Sequence, residues 1–117
     1  MSLSKESEAK ARTILSELLA ALRPARLHFA WRTVDDVLDF LSLIGEDEHS
    51  LPLQEAIDSA VYAKILPKLR GDDSTRVREA LDATRKVLAA HGLSASYAKV
   101  KELEDDLATT GSARFWR

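Results

Sequence analysis

With 117 residues, 45% of them apolar and 31% charged, the chain has the balance of one folded domain and too much apolar content for a disordered segment. Its 17 basic residues are offset by 19 acidic ones, a formal charge of −2, so it lacks the basic excess that usually accompanies a grip on nucleic-acid phosphates. No cysteine is present, which excludes disulfides and thiolate metal sites. No apolar run approaches the roughly 20 residues that span a bilayer. The opening Met1-Ser2-Leu3-Ser4-Lys5-Glu6 is polar where a secretory signal needs an apolar core, so the cytoplasm is the expected compartment.

Every sizeable segment has helical spacing. Ile14, Leu15, Leu18, Leu19 and Leu22 build one apolar stripe, with Ser4 or Ser7 as the expected cap and Pro24 as the stop. A packed bridge follows, Ala25 to Arg32, holding Leu27, Phe29 and Trp31. Thr33 and Asp36 resemble a capping box, with Asp in place of the usual Glu or Gln. Val34, Val37, Leu38 and Leu41 then mark a second helix that should end near Gly45.

The acidic stretch Glu46-Asp47-Glu48 reads as a loop, and Pro52 suits the first turn of a third helix. The stripe of that helix is Leu53, Ile57, Ala60, Val61 and Ile65. Pro67 should kink or break it, with Leu66 and Leu69 still buried. Gly71-Asp72-Asp73-Ser74 reads as a turn with a capping signal. Beyond it, Val77, Leu81, Thr84 and Leu88 define a fourth helix with Gly92 as a left-handed stop. Ser94 or Ser96 should cap a fifth, carrying Tyr97, Val100, Leu103 and Leu107, with Gly111 as its end. Two aromatics, Phe115 and Trp116, predict a tail docked on the bundle. No alternating strand pattern, internal repeat or low-complexity segment interrupts this reading. The expected fold is all-α, a compact bundle of about five helices. It is expected to form one helical domain over residues 4–117, and if residues 1–3 are an appended start the chain is a piece of something longer.

Chemistry is sparse. His28, His49 and His91 lack ligand-spaced partners, and neither Glu46-Asp47-Glu48 nor Glu104-Asp105-Asp106 has the spacing and glycine turn of a calcium loop, so no metal is expected. There is no Gly-x-Ser-x-Gly elbow and no cysteine nucleophile, and Gly45, Gly71, Gly92 and Gly111 are isolated and form no phosphate cradle. No catalytic residue is therefore assigned, and the chain alone is not read as an enzyme. Arg76, Arg78, Arg85 and Lys86 share the fourth helix with Glu79 and Asp82, which reads as a mixed, solvated face. Arg32 is placed more suggestively, immediately before the expected cap at Thr33. Helix starts favour anions, and a guanidinium there makes a phosphate-facing corner; a structural salt bridge to a nearby acid is the alternative.

Several segments, in order, resemble one family. Leu27-His28-Phe29-Ala30-Trp31-Arg32-Thr33-Val34-Asp35-Asp36-Val37-Leu38-Asp39-Phe40 resembles the segment that opens the third lid helix of McrB-like AAA+ proteins, although Ala30 and Trp31 stand where glycine and tyrosine are more usual. Asp58-Ser59-Ala60-Val61-Tyr62-Ala63-Lys64-Ile65-Leu66-Pro67-Lys68-Leu69-Arg70-Gly71 is similar to that family's Lys-Ile-Leu-Pro-Lys-Leu-basic-Gly stretch. Ser96-Tyr97-Ala98-Lys99-Val100 and Gly111-Ser112-Ala113-Arg114-Phe115-Trp116-Arg117 look like its tail.

The resemblance implies a C-terminal lid, separated from the nucleotide-binding core that carries the Walker motifs. It makes Arg32 the match to the sensor 2 arginine, which reaches the nucleotide phosphates and couples nucleotide state to lid movement. It further implies ATP or GTP with magnesium as the cofactor of the full-length protein, none being bound by this chain alone. The implied partners are the AAA+ core of the same polypeptide, further copies in a homo-oligomeric ring, and a nuclease subunit in DNA restriction, with no membrane and no direct nucleic-acid contact. The rival reading is a free-standing helical protein-interaction module.

Overall fold

Five helices carry most of the chain in the computed structural model, which describes residues 5–25, 31–45, 53–72 and 74–114. Helix α1 (Lys5–Leu22) buries Ala11, Ile14, Leu15, Leu18 and Leu22, one residue per turn or nearly so, and gives way to a 3-10 turn, Arg23–Ala25, that contains Pro24. Helix α2 (Trp31–Gly45) buries Thr33, Val34, Val37, Leu38 and Leu41. Helix α3 (Leu53–Lys64) buries Ala56, Ile57, Asp58, Ala60 and Val61. Helices α4 (Thr75–Ala90) and α5 (Ser94–Thr110) form an antiparallel-type pair joined by a three-residue turn, with Leu81, Thr84 and Leu88 facing Val100, Leu103 and Leu107 in the shared core.

The helices pack as a closed circuit. Helix α1 lies against α2 and α4, α2 against α3, α3 against α5, and α5 against α4. Ile14, Leu18, Leu41, Ile57, Leu81, Leu88 and Leu103 are all sealed from solvent inside that circuit. Each fully buried aliphatic side chain of this kind contributes about 1.5–3 kcal/mol over leaving it exposed, and this burial, more than intrinsic propensity, holds the helices in place. Thr84, buried in the same core, satisfies its hydroxyl by donating to the Ala80 carbonyl at 2.7 Å. Among the described residues no buried side-chain polar atom lacks a partner, and no helix is long and apolar enough to cross a membrane.

Pro67 breaks the third helix as its chemistry requires. The last α-type bond runs from the Ile65 N–H to the Val61 carbonyl at 2.9 Å, after which a 3-10 turn, Leu66–Lys68, carries the chain round. Ile65, Leu66 and Leu69 remain buried on either side of it. The chain then enters a short strand, β1 (Arg70–Asp72), which pairs antiparallel with β2 (Ser112–Arg114) in the register Arg70–Arg114, Gly71–Ala113 and Asp72–Ser112. This ribbon was not expected, because three residues are too few to display an alternating pattern.

Helix α1 begins at Lys5, which puts Ser7 inside it, while Ser4, the other expected cap, lies outside the described residues. Two other helix starts differ from expectation. Helix α2 begins at Trp31, so Thr33 is the third helical residue and a buried part of the core face, not a cap. No glycine or proline separates Trp31 from Thr33, and Thr33 aligns one turn before Val37 on the apolar side, so burial draws the helix back through it. Helix α5 has Leu93 at its cap position with no side-chain cap of its own. Its donors are satisfied instead from α3, where Asp58 Oδ2 accepts the Ala95 N–H and Oδ1 accepts the Ser96 N–H, both at 2.8 Å. The buried Ser96 hydroxyl donates back to the Asp58 carbonyl at 3.1 Å. An ionised carboxylate is the stronger acceptor, and it takes the role the neighbouring serines would otherwise fill. The expected cap at Ser4, the bridge over 26–30, Glu46-Asp47-Glu48, Pro52 and the Phe115-Trp116 tail lie outside the described residues.

Candidate functional site

The site indicated by the sequence is the start of α2. Arg32 is the second residue of that helix and is exposed. Its guanidinium is therefore attached at the N-terminal end of the described helix, the end whose first N–H groups carry the positive pole of the helix dipole. No acid among the described residues forms an ion pair with it. A cation on the first turn also opposes the helix dipole, and an anion bound at this end would relieve that repulsion. The core-facing side of the same turn, Thr33 and Val34, anchors Arg32 to a rigid element. Arg12, Leu15, Ser16, Leu19 and Val34 line a small groove of about 140 Å³ between α1 and α2, with Arg12 held by Glu8 at 3.1 Å.

The second stretch singled out by the sequence makes contacts that hold the fold. Asp58 caps α5, Ile65, Leu66 and Leu69 enter the core, and Lys64 lies 6.0 Å from the centre of the Phe40 ring on α2. Gly71 packs so closely on the first turn of α4 that a Cβ at this position would stand 2.9 Å from Val77 Cγ2. It also pairs with Ala113, so the Pro67 stretch and the Gly111–Arg114 stretch, about forty residues apart in the chain, meet in one ribbon.

The remaining candidates resolve into ordinary pairings. Arg85 bonds Asp82 on its own helix and Glu104 on α5 at 2.7 Å, while Lys86 bonds Asp82 at 2.9 Å. The hydrogen bond from Lys86, then its charge and the Arg85 guanidinium, hold the Asp82 carboxyl below its ordinary value. Tyr97, Glu104 and Asp82 in turn favour the cationic form of Arg85. Arg85 and Lys86 of α4 are thus interleaved with acids in space as they are in sequence. Glu104 of the second acidic cluster serves this network, and no group of three or more metal-ligating side chains converges among the described residues. His91 occupies the C-cap of α4 in the turn before α5, and its Nε2 lies 2.5 Å from Glu17 Oε2 on α1. His28 and His49 lie outside the described residues.

Asp58 was missed as a residue of consequence, since nothing in its local sequence marks a side chain that caps a helix 37 positions away. Residues 1–112 match the model of a family described as a domain of unknown function, DUF8727. No curated protein and no solved structure matches the chain.

Proposed function

This chain belongs to the DUF8727 family, and we propose that it is the C-terminal lid of an McrB-like AAA+ NTPase, with Arg32 as its nucleotide-sensing residue. The observation that carries the reading is the exposed Arg32, free of any acidic partner among the described residues and fixed on the first turn of a packed helix, within the segment that resembles the family's lid opening. The ordered resemblance of the Asp58–Gly71 and Gly111–Arg117 stretches supports it, and Arg70 and Gly71 of the first pair with Arg114 and Ala113 of the second in one ribbon.

The nucleotide, ATP or GTP with magnesium, belongs to the core, which supplies the phosphate loop and the metal ligands. The lid supplies one charge. A guanidinium held at a helix start needs little reorganisation to face the terminal phosphates, and it gives the lid a reason to move when their charge changes. In the full-length protein this coupling would act between copies of a ring and on a nuclease partner in DNA restriction, with the cytoplasm as its setting.

The test is Arg32→Ala in the polypeptide that joins this domain to its core. Turnover should fall by about 10²–10³-fold, the scale for losing one preorganised charge contact in the transition state. The isolated domain carrying the same change should melt within roughly 2 °C of the parent, because the side chain is exposed. Unchanged turnover would overturn the assignment, as would a reading frame without a phosphate-binding loop upstream of Ser4. The latter result would favour the interaction module, for which the open apolar groove at the α4–α5 turn is the supporting feature.

A further inference from the structure

We draw no further inference here: the strongest candidate, the open apolar groove of about 230 Å³ at the α4–α5 turn lined by Leu88, Ala89, Leu93 and Tyr97, is an unpartnered face, and nothing in the structure shows what covers it.

Discussion

Helices α4 and α5 lie side by side in the same bundle and both begin near serines, yet their starts are held by different means. At α4 everything is local: Ser74 accepts the Val77 N–H at 3.2 Å, and Gly71, three residues before the cap, makes room for the Val77 side chain. At α5 the decisive group is Asp58, which arrives from the middle of α3 and serves two N–H groups at once. A local cap can form as soon as its own helix does. A cap supplied by another helix exists only when the bundle has closed, so it ties the stability of α5 to the correct placing of α3.

The largest expected effect breaks the α5 side of this comparison. Asp58→Ala leaves two N–H groups near or inside the core without an acceptor and should cost about 3 kcal/mol, read as a fall of roughly 12 °C in melting temperature for a domain of this size. Asp58→Asn, which keeps one acceptor and turns an amide donor toward the other N–H, should fall between. If Asp58→Ala melts like the parent, the cap from α3 is not what holds α5.

Next comes Gly71→Ala. The added methyl must displace Val77, whose two γ carbons stand 2.9 and 3.0 Å from its position, and should destabilise by about 1–2 kcal/mol in a denaturant titration. Adding Val77→Ala should make the two changes clearly non-additive, because the shorter side chain removes the clash. Simple additivity would show that close packing at Gly71 is not the cause.

A serine pair sharpens the contrast further. Ser74→Ala should lose about 1 kcal/mol, the usual value of an N-cap side chain, whereas Ser94→Ala should stay within about 0.5 kcal/mol because Ser94 has no capping duty. Equal losses at the two positions would contradict the assignment of different caps.

The smallest effect concerns the acid network farther along the α4–α5 pair. The Asp82 carboxyl, held below its ordinary value of 3.8 chiefly by Lys86, binds its proton less readily in the folded chain than in the unfolded one. Its contribution is therefore present above that ordinary value and lost as pH falls through the folded one. Asp82→Asn and the parent should differ slightly near neutral pH and converge in acid, and added salt should narrow the neutral difference because the pair is solvent-exposed. A difference that persists in acid would mean that Asp82 acts through something other than its charge.

Much of this architecture was open to reading from residues alone. Apolar stripes such as Ile14, Leu15, Leu18 and Leu22 repeat with the 3.6-residue period of the helix they form. Pro24 and Pro67 stop helices through their own rings, and Gly92 and Gly111 adopt the positive φ that permits a helix to end there. Ser74 could be recognised because a cap and the N–H it serves are three residues apart. These features depend on covalent geometry within one or two turns, which the sequence determines by itself. The candidate site was legible only to the extent that an arginine stood near a helix start. That the helix begins at Trp31, that Arg32 is exposed, and that no described acid meets it depend on which face of α2 turns inward. Likewise Asp58 against α5, Glu17 against His91, Arg85 between two helices, and the β1–β2 ribbon were decided by the tertiary structure. Their partners lie 19 to 74 positions apart for the side-chain pairs, and the pairing follows from how the apolar faces close on one another.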